Sequence, residues 1–196
     1  MLDTVLAISL ALGLAAACGF RVFVPMAILG IATRAGLLTL ADGFEWIGSW
    51  PAIATFATAT LLEIAAYYLP WLDNFLDSIS APAAVVAGVI VTAACVYDVH
   101  PLMKWSLAVI AGGGAAGSVK AGLTGIRLGS TAATGGAANP LVSTVEWMAS
   151  MVMSILSVFL PILAAVLAII LIVLLFRFAV RVFVRLLKGN REPTCN

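Results

Sequence analysis

Five ionisable side chains stand inside apolar stretches of this 196-residue chain: Arg21, Glu63, Lys120, Arg127 and Glu146. Holding such a group in a bilayer costs about 2.5–3.5 kcal/mol on insertion scales, so each is a functional candidate by default. Their types allow two readings. In one, Glu63 pairs with Arg21 or Lys120 and fixes the register of neighbouring helices. In the other, Glu63 carries a proton or cation and the basic groups attract an anion. Snorkelling of a side chain to an interface is a third course. Glu146 falls about 9 Å from the start of its helix, where the helix dipole favours a carboxylate, and it remains a candidate site residue.

A second constellation follows two of these cations. The string Ser130-Thr131-Ala132-Ala133-Thr134-Gly135-Gly136-Ala137-Ala138-Asn139-Pro140 reads as a small polar loop, with Asn139 as N-cap and Pro140 at the first helical position. Gly135 and Gly136 would let backbone N–H groups approach a ligand. The hydroxyls of Ser130, Thr131 and Thr134 stand beside them, and Lys120 and Arg127 would complete an anion site. The alternative is an interhelix turn whose small residues satisfy backbone groups at membrane depth.

Other chemistries find no support. The run Gly112-Gly113-Gly114-Ala115-Ala116-Gly117-Ser118 lacks the Lys that a phosphate loop needs directly after its last Gly. His100 is the single histidine, and neither a Gly-x-Ser-x-Gly elbow nor a His-Glu-x-x-His helix is present, so hydrolysis is not expected. Asp98 and His100 beside Pro101 read as an interfacial cap rather than a metal site. Cys18, Cys95 and Cys195 are too far apart for a zinc spacing or a disulfide framework, and they read as packing residues. No cofactor is expected.

The elements that position the candidates follow from composition. The chain is 63% hydrophobic and 10% charged, and its mean hydropathy is +1.16. A soluble domain carries about 25% charged residues, so this chain cannot cover a water-soluble surface. An all-α integral membrane protein of about six transmembrane helices is expected, in one domain over residues 1–187, followed by a short basic tail at 188–196. Net charge of +1 gives no footprint for nucleic acid. Asp3 stands where a signal peptide would be basic, and the apolar pattern resumes at Val22, so the first helix is expected to be retained.

Residues 4–33 would make a helix of about 45 Å, longer than the roughly 30 Å hydrocarbon core, and Gly19, Arg21 and Pro25 supply a break. The second span reads from Trp50 to Pro70, with Trp46 and Trp50 at one end and Tyr67, Tyr68 and Trp71 at the other. An acidic turn with Asp73 and Asp77 leads to a third span, Ala83 to Val99. A Gly-rich fourth span starts at Lys104. The apolar run from Asn139 to Leu187 needs two spans, with Pro161 as the turning point.

An offset of about 99 residues places Arg21 on Lys120 and Leu29-Gly30 on Leu128-Gly129. Ala7, Ala11, Ala15 and Gly19 form a small-residue stripe, as do Gly113, Gly117, Ala121, Gly125 and Gly129, and such stripes let helices approach closely in lipid. These signals suggest two inverted three-helix repeats, 4–103 and 104–187, with broken first and fourth spans. Arg177, Arg181, Arg185, Lys188 and Arg191 put the C-terminus in the cytoplasm; six spans would put the N-terminus there too, whereas a re-entrant first segment, broken between Gly19 and Pro25, would reverse it.

Residues Gly13 to Arg21, the segment Glu63 to Asp77 with Pro70, and Ser130-Thr131-Ala132-Ala133-Thr134-Gly135-Gly136 followed by Asn139-Pro140 and Glu146 carry a resemblance. Over roughly residues 10–180 the chain resembles bacterial membrane proteins grouped as domain of unknown function 4126. The family pattern sets an acidic residue one turn after the glutamate matching Glu63, where this chain has Tyr67. The resemblance implies a bacterial inner-membrane location and no activity.

A small transporter or channel-like carrier is therefore expected, for an anionic or small polar solute, with proton coupling at Glu63. A non-transporting membrane scaffold is the competing reading. The expected partners are the lipid bilayer, a small anionic solute or lipid headgroup, and a second copy of the chain.

Overall fold

The computed structural model describes residues 2–65, 70–97, 99–135 and 138–189, whose regular elements are all helical. Tyr67, Tyr68, Asp98, Gly136 and the tail 190–196 lie outside the described residues, as do the side chains of Trp71, Asp73, Asp77, Arg185 and Lys188. In chain order the elements are α1 (Leu2–Phe20), α2 (Phe23–Arg34), a 3-10 turn (Glu45–Gly48), α3 (Trp50–Ala65) and α4 (Pro70–Cys95). There follow α5 (Pro101–Leu107), a π-helical stretch (Ala108–Gly113), α6 (Gly114–Thr134), α7 (Asn139–Phe159) and α8 (Pro161–Gly189). Among the described residues, four helices are long and apolar enough to cross a membrane: Asp3–Phe20, Pro101–Thr134, Asn139–Phe159 and Pro161–Phe178. Three shorter apolar helices, Phe23–Arg34, Trp50–Ala65 and Ile79–Cys95, accompany them.

Proline sets several of the starts. Pro70, Pro101 and Pro161 open their helices, where the missing N–H had no helical partner in any case. His100 caps α5, its Nδ1 accepting from the Leu102 N–H at 3.3 Å. Leu160 alone separates α7 from α8, as Pro161 led one to expect.

The first apolar stretch is not a tilted rod. The helix is interrupted at Arg21 and Val22. Pro25 has no N–H to give to the Arg21 carbonyl four residues back. Ser150 takes that place from α7, its Oγ donating to Ala17 O at 3.0 Å and lying 3.5 Å from Arg21 O. α2 then runs back along α1, because Leu37, Leu38 and Thr39, just beyond α2, line one cavity with Asp3, Leu6 and Leu10. This is the proximal end of the bundle. α2 closes there with a Schellman motif, Leu37 N–H to Ala32 O and Gly36 N–H to Thr33 O, and Gly36 supplies the positive φ of +72°.

The remaining directions follow. Ile53, near the start of α3, packs on Gly30 of α2, while Glu63, near its end, reaches the start of α2. α4 returns to the proximal end, where Ala94 O accepts from the Ala41 N–H at 2.8 Å. The helix from Pro101 leaves that end, α7 comes back to set Val158 beside Leu6, and α8 departs again. α1 thus starts at the proximal end and α8 runs to the distal end. The fold-back at Arg21 adds a reversal that a mere break would not, so the start of α1 and the end of α8 lie at opposite ends of the bundle.

Further expectations are corrected. α5, the π-helical stretch and α6 run without interruption from Pro101 to Thr134, so the fourth span is deformed rather than broken. Ser130, Thr131 and Thr134 form the last turns of α6, not a loop. Asn139 is the first residue of α7 and makes no capping bond. Asp73 and Asp77 fall within α4 instead of in a turn before it.

α1 is the central helix, packed on α4, α6, α7 and α8. Small residues permit this. A Cβ on Gly19 would lie 2.6 Å from Ala116 O, and one on Gly88 of α4 would lie 2.6 Å from Gly112 O in the π-helical stretch. The α6 stripe divides: Gly113 and Gly117 meet Val85, whereas Gly125 and Gly129 face open space.

Candidate functional site

The α1–α2 corner leaves the first N–H groups of α2 without a side-chain cap, since Val22 at the cap position offers none. Glu63 reaches this corner from α3, its carboxylate lying close to the backbone N–H groups of Val22 and Phe23 and within the influence of the Arg21 and Lys120 charges. Glu63 is 7% exposed, and its Oε2 has no hydrogen-bond partner among the described residues. A half-helix N-terminus is thus aimed at a carboxylate in the interior.

On the other side of Arg21 lies Glu146. Arg127 of α6 grips it with two parallel bonds, Nε to Oε1 at 2.9 Å and Nη2 to Oε2 at 2.6 Å. Ser143, one turn before Glu146 on the same face of α7, accepts from Arg127 Nη2 at 2.9 Å. Arg21 Nη2 approaches Glu146 Oε2 at 3.3 Å. This carboxylate therefore bridges two guanidinium groups, held tightly by one and loosely by the other. Glu146 is 2% exposed, and Arg21, Lys120 and Arg127 are all buried.

Five of the candidate residues, Arg21, Glu63, Lys120, Arg127 and Glu146, are thereby brought together around the α1–α2 corner. The other described candidates are not. Ser130, Thr131, Thr134, Gly135 and Asn139 form the α6–α7 corner, mostly exposed, where the side chains of Thr131, Thr134 and Asn139 bond to one another and to the backbone, while Ser130 Oγ has no partner among the described residues. Asn139 Nδ2 donates to Thr131 Oγ1 at 3.2 Å, Thr134 Oγ1 donates to Ser130 O at 2.8 Å, and the Ala138 N–H donates to Thr134 Oγ1 at 3.3 Å. Gly135, at φ +62°, ends α6 in the left-handed region. These groups fasten a helix corner. Residues 130–134 are helical rather than a loop, and Arg127 turns to Glu146 and Ser143.

Sequence reasoning missed Ser143 and Ser150, and with them the bonds to Arg127 and to the α1 carbonyls. A signal was present: Ser143, Glu146, Ser150, Ser154 and Ser157 recur at three- and four-residue spacing along an apolar helix, and all five are buried. Ser154 and Ser157 donate to backbone carbonyls four residues back, at 2.7 Å each. Among the described residues, no group of three or more His, Cys, Asp or Glu could hold a metal. Cys18 and Cys95 are free and buried.

Helices of membrane length, packed around a central helix with their charges gathered inside, define an all-helical protein of membrane-spanning character. The chain belongs to the family described as Domain of unknown function (DUF4126), whose model matches residues 8–181. No curated protein and no solved structure matches it.

Proposed function

We propose that this protein is a small multi-pass membrane carrier for an anionic or small polar solute, coupled to protons through Glu63. The observation that carries the reading is the convergence of Arg21, Glu63, Lys120, Arg127 and Glu146 on one helix break in the interior. Such breaks, with N–H groups facing the bundle centre, are where secondary transporters hold anionic groups. Glu63 occupies those N–H groups as an internal anion. Protonated, it gives them up, and a solute anion takes its place against Val22, Phe23, Arg21 and Lys120. Arg21 faces both carboxylates, acting on Glu63 and approaching Glu146 at 3.3 Å, a longer contact than the paired bonds of Arg127.

The opposite running directions of α2–α4 and α6–α8 support an inverted pair of three-helix halves, with α1 outside both. Arg177 and Arg181, exposed near the distal end of α8, support a cytoplasmic distal face in a bacterial inner membrane. The scaffold reading draws on Gly125 and Gly129, which leave the outer face of α6 open for a second helix, including that of another copy.

A thermal-shift screen of the purified protein against acetate, succinate, phosphate and chloride tests the site. A ligand at 100 times its Kd stabilises the fold by about 2.7 kcal/mol. Stabilisation that vanishes in Lys120→Ala supports the carrier. No response to any of these anions across pH 5–8, with Lys120→Ala merely less stable, favours the scaffold.

A further inference from the structure

At the proximal end, away from the charge cluster, a cavity of about 470 Å³ is lined by Thr39, Asp42, Tyr97, Pro101, Lys104 and Trp105 among others. Its volume falls within the roughly 300–1,000 Å³ of small-ligand pockets. Among its described lining residues are one cation and one carboxylate that do not meet: neither Asp42 nor Lys104 forms an ion pair among the described residues. Lys104 Nζ instead lies over the Phe44 ring, 5.0 Å from its centroid, which orients the ammonium without supplying an anion. Two opposite charges kept apart on the walls of one cavity match a ligand with the reverse pair.

The surroundings identify the kind of ligand. Trp46, Trp50 and Trp105 are all at least half exposed, and an aromatic belt of this kind marks the headgroup level of a bilayer. Leu102, Met103, Val109 and Ile110 continue from Lys104 and Trp105 as an exposed apolar surface, suited to acyl chains.

We propose that this cavity binds a zwitterion of phosphate and primary ammonium, as in the headgroup of phosphatidylethanolamine. Lys104 meets the phosphate as a point charge, Asp42 accepts from the ammonium, and Tyr97 and Thr39 offer hydroxyls between them. An anionic headgroup without an amine leaves Asp42 facing uncompensated negative charge. The site therefore discriminates against phosphatidylglycerol. Free O-phosphoethanolamine presents the same polar chemistry without the chains.

Native mass spectrometry of the full chain in detergent, titrated with short-chain phosphatidylethanolamine and phosphatidylglycerol, tests this. Wild type is expected to bind the ethanolamine lipid at least about tenfold more tightly. Asp42→Asn brings that ratio close to one, and Lys104→Gln weakens both lipids about tenfold. Asp42 is exposed and Lys104 partly so, hence both variants are expected to keep the wild-type Tm. Equal binding of the two lipids by wild type, or an unchanged ratio in Asp42→Asn, overturns the proposal. O-phosphoethanolamine competing at the same concentration as the lipid overturns its lipid source, because the chains then contribute nothing.

Discussion

Arg127 and Glu146, 19 positions apart in the chain, meet through two hydrogen bonds of 2.6 and 2.9 Å. Both are buried, and the pair ties α6 to α7 while Arg21 approaches the same carboxylate from the α1–α2 corner. Removing one partner of a buried pair leaves an uncompensated charge, at a cost of about 3–5 kcal/mol. Glu146→Ala is therefore expected to destabilise the protein by that amount in detergent unfolding titrations. Arg127→Met together with Glu146→Leu is expected to cost less than the sum of the two single changes. Simple additivity would mean the pair is not coupled.

Ser143 adds a bond to a charged donor, worth about 1.5–3 kcal/mol when its partner stays buried. Ser143→Ala is expected to lower stability by this much in the same titration, and to lose the effect in an Arg127→Met background. A cost that persists without Arg127 would place the role of Ser143 in helix packing.

Buried and exposed glycines separate packing from propensity. Gly88→Ala sets its Cβ 2.6 Å from the Gly112 carbonyl oxygen, a backbone atom that cannot swing aside, and overpacking of this kind costs about 1–3 kcal/mol. Gly125→Ala and Gly129→Ala enter open space and gain up to about 1 kcal/mol of helix propensity. Thermal shifts of opposite sign are expected. A loss at Gly125 or Gly129 would reveal a partner helix on that face.

The fold-back at Arg21 has a direct topological consequence. In a cysteine-free background, Asp3→Cys and Arg181→Cys are expected to react with an impermeant maleimide from opposite sides of the membrane. Labelling from the same side would contradict the reversal of α2.

The position of the break was legible, since Gly19, Arg21 and Pro25 lie together in a stretch too long for one span. Its angle was not: a proline removes a bond, but where the chain goes next depends on Ser150 and Glu63, which are distant in sequence. The five interior charges were legible as outliers in apolar stretches. Their pairing was not, because nothing local distinguishes Glu146 from Glu63 as the partner of a given arginine. The Ser130–Thr134 segment reads as a loop by soluble-protein habits, yet Ser, Thr and Ala serve well in the last turns of a helix, and Gly135 alone ends it. Asn139 looked like a cap for the same reason, although its amide is spent on Thr131.

Proton movement driven by an anion gradient tests the carrier most directly. In proteoliposomes with a trapped pH dye, inward gradients of acetate, succinate, phosphate or chloride are to be compared for wild type, Glu63→Gln and empty vesicles. Carrier function predicts acidification above the empty-vesicle leak for at least one anion with wild type, and its loss in Glu63→Gln protein that retains the wild-type fold. Wild-type traces that superpose on empty vesicles for all four anions, or coupling that survives in Glu63→Gln, would contradict it.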